Sequence, residues 1–285
     1  MEKELVQEFH EAYVKANPQK LSKLWEEKAP KSLIKFYTGK YECEGINYLL
    51  NSLSNNTIWL ASPRFFNDPF DCVINVDYYC EAEQISRKIL EKRFGTELTN
   101  ILMSLPNTKD MIFPVVKYLK NENEGKHMYE EKSIYVSCFS ELENLQSLRM
   151  WANYANNHSG VCIEYDFDAV NNVSPFACIP ISYSDDYTYL LNTKDVSENV
   201  SNFLKFFTKA QEWEYEKEWR VAIKSEKINQ NGCIATIATP IAVYLGCKVS
   251  EKLEKDVVSI CKERNINLYK MKMRPGSFKL DVAAV

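Results

Sequence analysis

Residues 134–167 restrict the folds open to this chain more than any other segment, because they have the pattern of strand, helix and strand. The first run, 134–139, is β-branched and aromatic and carries Ser137 near its end, with Ser140 just beyond it. A stripe of apolar residues spaced by three and four follows, and 161–167 then alternate as a half-buried strand does. The segment therefore predicts a βαβ-like unit with polar side chains at its rim.

The helix of this unit places Trp151, Tyr154 and His158 on one stripe. An aromatic stripe at helical spacing is either part of the core or the wall of a ligand site. His158 precedes the Ser-Gly pair that ends the helix, so it either caps the last carbonyls or belongs to a site. Both interpretations stay open for each of these residues.

Composition and charge are those of an ordinary globular protein. Of the 285 residues, 45% are hydrophobic and 26% are charged. The formal net charge of -4 argues against a surface that neutralises a phosphate backbone, so non-specific DNA binding is not expected. The N-terminus lacks the apolar core of a signal peptide, and no apolar run approaches about 18 residues. We therefore expect a cytoplasmic protein with no membrane partner.

The rest of the chain predicts a mixed α/β (α+β) fold with one central mixed sheet and flanking helices. Residues 1–30 have the pattern of N-terminal helices, and 31–285 that of a single main α/β domain. Within it, the charged and largely helical segment 81–131 predicts a helical insert. A helix is also expected over 197–212, and a parallel strand–helix–strand crossover over 241–273.

The nine cysteines include no CxxC pair, and only three histidines accompany them. We expect free and mostly buried thiols, with neither a disulfide nor a structural zinc ion.

Two polar segments interrupt the predicted strands. In the loop 63–71, PRFFNDPFD, Asn67 and Asp68 either form local Asx turns or carry polar groups to a site. In 213–224, WEYEKEWRVAIK, three charged residues share one face of a strand, opposite the apolar positions. That face is either solvated, with ion pairs of little energetic weight, or part of a site. The three charged residues are Glu216, Glu218 and Arg220.

The motifs FNDPFD, SCFSE, MWANYANNHSG, CIEYD and YEKEWR together resemble the bacterial family catalogued as domain of unknown function 2971. The resemblance extends over nearly the whole chain apart from the first helices and the insert. It implies no particular reaction, because the family has no established activity.

A second similarity is to the ADP-ribosyltransferase superfamily, whose members use a basic or histidine residue on an early strand, a serine-bearing strand and a later Glu-x-Glu. This chain has Lys35, then Ser137 and Ser140, then Glu216 and Glu218, in that order. The similarity implies an enzyme that cleaves the nicotinamide–ribose bond of NAD, as an ADP-ribosyltransferase or an NAD glycohydrolase. It also implies the setting of a bacterial toxin or phage-defence effector.

By this similarity the expected catalytic residues are Glu218, beside the ribose and its developing cation, and Glu216, which orients the acceptor. NAD is the expected nucleotide substrate, and no metal is expected. The sequence points to no particular acceptor macromolecule or oligomeric state. Residues expected to bind substrate through charge, aromatic walls or hydrogen bonds are Lys35, Tyr37, Asn67, Asp68, Ser137, Ser140, Trp151, Tyr154, His158 and Arg220.

Two other hypotheses stay open. One is a metal-dependent nuclease that gathers carboxylates from adjacent strands around a metal ion. The other is a non-catalytic sensing or interaction module, in which FNDPFD and YEKEWR only stabilise the fold. The nuclease would use Asp68, Asp71, Glu164 and Glu216 with Lys217.

Whichever hypothesis holds, we expect the SCFSE strand end, the 63–71 loop and the face of Glu216, Glu218 and Arg220 to meet around one cleft. Because Glu218 alternates with apolar residues, its carboxylate is expected outside the apolar core. Glu218→Gln is then expected to remove activity and leave the fold intact.

Overall fold

The computed structural model divides the chain into two compact units, Met1–Val73 with Ile134–Val285, and Ile74–Ser133. The predicted insert, 81–131, lies within the second unit. The structure describes residues 3–15, 17–41, 47–72, 78–174, 178–185, 205–225 and 231–285.

The first unit is built on a large mixed sheet, which confirms the predicted α/β fold with a central mixed sheet. Its strands are β1 (Ser32–Tyr37), β2 (Thr57–Ala61), β3 (Ile134–Glu141), β4 (Val161–Asp166), β5 (Cys178–Pro180), β6 (Ser182–Tyr183), β7 (Thr208–Lys209), β8 (Glu218–Lys224), β9 (Gly232–Thr236), β10 (Ala242–Leu245), β11 (Asn267–Met273) and β12 (Leu280–Ala284). The sheet runs in the order β12-β11-β10-β4-β1-β3-β2-β9, with β8 paired to β3 and β5 paired to β8. Strands β6 and β7 form a separate parallel pair.

Helices flank this sheet and compose the second unit. In the first unit they are α1 (Lys3–Val14), α2 (Pro18–Lys28), α3 (Tyr48–Asn55), α7 (Leu148–Tyr154), α8 (Phe167–Asn171) and α9 (Glu251–Glu263). In the second unit they are α4 (Tyr78–Phe94), α5 (Thr96–Met103) and α6 (Thr108–Ser133). The second unit has a small apolar cluster of its own around Ala82, Ile112 and Val116. No helix in the described part of the chain combines the length and apolar character that a membrane crossing requires.

The strand alternation of β1 divides the core of the first unit between two faces of the sheet. Leu33 belongs to the larger cluster, which also contains Trp219 and, from α1, Phe9. Ile34 belongs to a smaller cluster with Trp151 of α7. The N-terminal helices thus share the core of the first unit, because α2 also contributes Leu21 and Leu24 to the larger cluster.

Strand β3 is the branch point of the sheet and positions the site described below. One of its edges pairs with β8 along nearly its whole length, from Ile134 to Ser140. Its other edge is divided, because β1 pairs near the C-terminal end of β3 and β2 pairs at Val136. A fork between β1 and β2 is therefore left beside Cys138.

The structure confirms most of the predicted elements, including the parallel crossover, in which β10 and β11 pair in parallel around α9. The predicted helix over 197–212 is wrong wherever the structure describes it. Residues Lys205–Phe207 and Gln211–Glu216 are short 3-10 turns, and Thr208–Lys209 is strand β7. Pairing with β6 replaces helical hydrogen bonds there. The remainder of that prediction, 197–204, lies outside the described residues.

The thiols lead to the first testable prediction. Seven cysteines are free in the described part of the chain, and four of these are buried. Burial raises the pKa of the Cys72 and Cys162 thiols well above the ordinary value, so both should react slowly in the native protein. We expect thiol titration without reductant to count close to nine groups after denaturation and clearly fewer before it. A deficit in the denatured protein would indicate disulfide bonds.

Candidate active site

The three polar segments meet around one cavity of about 180 Å³ beside the fork in the sheet. Ser140 from the end of β3, Asn67 and Asp71 from the 63–71 loop, and Glu218 from the start of β8 all line it. Apolar side chains complete the wall, among them Phe36, Phe66, Phe139 and Met150. A small cavity with aromatic walls and converging charges is the usual form of a ligand site.

Glu218 is the centre of a buried ion cluster whose other members are Asp71, Lys209, Glu216 and Arg220. Its carboxylate accepts hydrogen bonds from Nε of Arg220 at 2.6 Å and from Nζ of Lys209 at 3.0 Å. Only 3% of Glu218 is exposed, and Arg220 is completely buried. The interpretation of this face as solvated is therefore wrong. The Glu218 carboxylate does lie outside the apolar core, as expected, but it is buried among charged partners beside the cavity. Alternation along β8 separates two faces, but it does not show that the charged one is covered.

Arg220 uses all five of its N–H donors within the protein. The guanidinium holds both oxygens of Asp71, at 2.8 and 2.6 Å, and both oxygens of Glu218, at 2.6 and 3.3 Å. Its remaining donor reaches the Phe206 carbonyl at 2.8 Å. The structure therefore leaves Arg220 no donor for a ligand, and its predicted role as an anion-binding residue is replaced by one of holding Asp71 and Glu218 in place.

Glu216 is the second carboxylate of the cavity, and it also is 3% exposed. The Tyr154 hydroxyl donates to its Oε1 at 2.5 Å, and Lys209 donates to its Oε2 at 2.5 Å. Lys217, at φ 44°, separates it from Glu218 in a left-handed conformation. Glu216 thus lies at the end of a 3-10 turn and not on the strand, and Lys209 joins its carboxylate to that of Glu218.

The two carboxylates have opposite electrostatic environments. Burial raises the pKa of Glu216, the neighbouring Glu218 carboxylate raises it further, and Lys209 only partly opposes this. Burial would also raise the pKa of Glu218, but the charges of Arg220 and Lys209 hold it well below its usual range. Glu218 is therefore firmly ionised, whereas Glu216 binds a proton more readily than an ordinary glutamate.

Lys35 reaches into the cavity from the fork in the sheet. Its ammonium donates to the Cys138 carbonyl at 3.1 Å and lies 5.3 Å from the centre of the Phe139 ring. Burial lowers the pKa of Lys35, an effect that the carboxylate of Glu218 partly offsets. Lys35 thus brings a third cation to the cavity, after Lys209 and Arg220.

Of the residues predicted to form the site, seven line this cavity: Lys35, Asn67, Ser140, Tyr154, Glu216, Glu218 and Arg220. Ser137 does not line it, because it is paired with Val221 on the core side of β3, and its hydroxyl has no hydrogen-bond partner in the described part of the chain. Trp151 is a core residue whose Nε1 donates to the Leu145 carbonyl at 2.7 Å. The core interpretation of the aromatic stripe therefore holds for Trp151 and not for Tyr154.

The other predicted residues also lie outside the cavity lining. Asp68 accepts the backbone N–H of Phe70 at 2.9 Å, which is the local Asx turn. Tyr37 lies below Lys35, with 5.8 Å between the ammonium and its ring centre. His158 follows α7 at φ 69°, and its carbonyl accepts the backbone N–H of Lys248. Burial and then the Lys248 charge lower the pKa of His158.

Sequence patterns missed the residue that joins the two carboxylates, Lys209. It is 7% exposed, and its Nζ also lies 3.7 Å from Asp71 and 4.8 Å from the centre of the Trp213 ring. The available signal was its setting, since a single lysine inside the aromatic run FFTKAQEW has few ways to be buried without a carboxylate partner. Tyr183 was missed as well, and its hydroxyl accepts the backbone N–H of Glu218 at 2.8 Å.

The carboxylates proposed for a nuclease serve separate purposes. Glu164 accepts hydrogen bonds from Ser32 at 2.6 Å and from Tyr244 at 2.7 Å, and it does not line the cavity. Asp71 and Glu216 do line it, but the ammonium of Lys209 lies beside both. Within the described ranges, no group of three or more His, Cys, Asp and Glu side chains is arranged to hold a metal ion.

The segment that contributes both glutamates of the cavity also matches a known sequence family. Residues 150–221 match the model of a family described as "Protein of unknown function (DUF2971)". The match supports the resemblance to this family within residues 150–221, which contain MWANYANNHSG, CIEYD and YEKEWR, whereas FNDPFD and SCFSE lie outside it. It includes Tyr154, Lys209, Glu216, Glu218 and Arg220. No curated protein and no solved structure matches the chain.

Proposed function

We propose that this protein cleaves the bond between nicotinamide and ribose in NAD, as an NAD glycohydrolase or an ADP-ribosyltransferase. The observation that supports this most is the carboxylate pair of the cavity, in which Glu218 is held ionised while the pKa of Glu216 is raised. Two carboxylates with opposite proton affinities are typical of enzymes that break glycosidic bonds through an oxocarbenium-like state. The order of Lys35, Ser140 and Glu-x-Glu resembles that of the ADP-ribosyltransferase superfamily.

The chemistry assigns a different task to each carboxylate. When the bond between the ribose C1′ and the pyridinium nitrogen breaks, its electron pair goes to that nitrogen, and neutral nicotinamide leaves. The fixed negative charge of Glu218 stabilises the positive charge that develops on the ribose. Water, or an acceptor group, then adds to C1′ and gives its proton to Glu216, whose raised pKa makes it a better base than an ordinary glutamate.

The walls of the cavity suit the leaving group. Phe66, Phe139 and Tyr154 offer aromatic faces to a pyridinium ring. The three carboxylates of the cavity are matched by its three cations, Lys35, Lys209 and Arg220, so the preference for a pyridinium ring rests on the aromatic walls.

The direct test is NAD consumption by the purified protein. We expect nicotinamide and ADP-ribose to appear in equal amounts, or ADP-ribose to be transferred to an added acceptor, with a rate unchanged by EDTA. For the glutamate variants of the cavity, Glu143→Gln is the matched control and should keep the wild-type rate, because Glu143 is an exposed glutamate that pairs with Lys217. Failure to release nicotinamide at enzyme concentrations above that of NAD would contradict the proposal. Nucleic-acid cleavage that requires a divalent ion would support the nuclease instead, and neither activity would support a non-catalytic module.

A further inference from the structure

The cavity is smaller than the substrate proposed for it. It has about 180 Å³, whereas sites for ligands of drug size hold about 300 to 1,000 Å³. A dinucleotide therefore places only its nicotinamide end among the carboxylates. Its adenosine half must lie outside, against residues that border the cavity.

Two exposed aromatic rings stand on that border. Phe65 is 57% exposed and Phe70 is 69% exposed. Their neighbours in the chain, Phe66 and Asp71, both line the cavity. Each exposed ring therefore starts one Cα step, about 3.8 Å, from a residue of the cavity wall.

The loop that carries these rings is held in place at both ends. Asp71 is bound through both carboxylate oxygens to the buried Arg220, and the Phe70 N–H is bound by the Asp68 carboxylate. At the other end a short turn, Pro63–Phe65, closes with the Phe65 N–H donating to the Ser62 carbonyl at 3.0 Å. The backbone that carries the rings is thus preorganised, and a ligand that stacks on them orders little additional loop backbone.

We propose that Phe65 and Phe70 form the subsite for the adenine base of the dinucleotide, by stacking on it. The inference rests on the proposed function, because it takes the nicotinamide end to occupy the cavity. Stacking on an exposed ring suits a purine, whose flat π-face needs no enclosing pocket. Arg64, whose guanidinium lies 5.8 Å from the centre of the Phe65 ring, adds a positive charge that suits an anionic pyrophosphate.

The test compares two substrates that share the scissile bond. Phe65→Ala and Phe70→Ala are each expected to raise KM for NAD about tenfold, as the loss of one stacked base would. Neither should change KM for nicotinamide mononucleotide, which lacks the adenosine half. Phe278→Ala is the matched control, because Phe278 is 96% exposed and does not line the cavity. Phe65→Tyr and Phe70→Tyr keep a ring and should keep the wild-type KM.

Other outcomes would overturn the subsite. An equal rise in KM for both substrates would show that the loop only shapes the cavity. Unchanged hydrolysis of both, with reduced transfer to an acceptor, would show that the rings bind the acceptor. If the protein does not cleave NAD at all, equilibrium binding of AMP decides separately: weaker binding by the two alanine variants supports the subsite. Absent or unaltered AMP binding overturns it.

Discussion

Replacing Glu216 with Gln is expected to lower the turnover of NAD by about a hundredfold or more, because it removes the base that accepts a proton from water or the acceptor. The protein should remain folded. Burial and the Glu218 charge raise the pKa of Glu216, so its ionised form is disfavoured in the folded state. A carboxylate with a raised pKa contributes stability below its unfolded pKa, about 4.3, and loses that contribution as pH rises through the folded pKa. At neutral pH the amide of the Glu216→Gln variant should therefore lower the free energy of unfolding only a little. The ion cluster still has the carboxylates of Asp71 and Glu218 for the cations of Lys209 and Arg220.

The measurements for this prediction are the rate of nicotinamide release and urea unfolding, with Glu143→Gln as the surface control. A wild-type rate in the Gln variant would remove Glu216 from the mechanism.

The Tyr154→Phe variant tests whether Glu216 is the group that accepts the proton. Burial and the Glu218 charge raise the pKa of Glu216, while the hydrogen bond from Tyr154 lowers it. Loss of that hydrogen bond should raise the pKa of Glu216 further and so move the acidic limb of the pH–rate profile to higher pH. A merely structural Tyr154 would leave the position of that limb unchanged.

Replacing Glu218 with Gln should instead destabilise the protein, by about 3 to 5 kcal/mol. The variant leaves Arg220, which is fully buried, without one of its two carboxylate partners, and it removes one of the carboxylates that bind Lys209. This expected result differs from the one drawn from strand alternation, by which the variant would keep its fold. Activity should fall as well, since the fixed charge beside the ribose is lost.

Denaturant unfolding at several pH values checks this prediction. Although burial would raise the pKa of Glu218, Arg220 and Lys209 hold it far below the unfolded value. The ionised Glu218 side chain therefore contributes to the free energy of unfolding above its unfolded pKa, about 4.3, and this contribution is lost as pH falls towards the folded pKa. The stability difference between wild type and Glu218→Gln should accordingly shrink on acidification below about pH 5. Equal stability at pH 7 would show that the cluster contributes nothing to the fold.

The sequence was most informative where a local pattern decides the structure. Strands β3 and β4, helices α1 and α2 and the crossover through α9 lie close to where periodicity and capping residues place them, because those signals act within a few residues. The Asn17 and Ser250 side chains cap the helices that they precede. The convergence of SCFSE, the 63–71 loop and the Glu-x-Glu segment also followed from polar residues placed at the ends of apolar strands.

Only the tertiary structure decided the state of the charges. Asp71 and Arg220 are 149 residues apart in sequence, and their contact buries a face that alternation alone leaves undecided between solvent and site. Lys209 lies in a segment whose apolar spacing predicts a helix, yet it forms part of β7 and binds two carboxylates. Local spacing carries no information about which distant group lies opposite a side chain. Apart from Lys209 and Tyr183, the charged residues and hydrogen-bonding partners of the two glutamates were thus evident from the sequence, whereas their burial, contacts and proton affinities came from long-range packing.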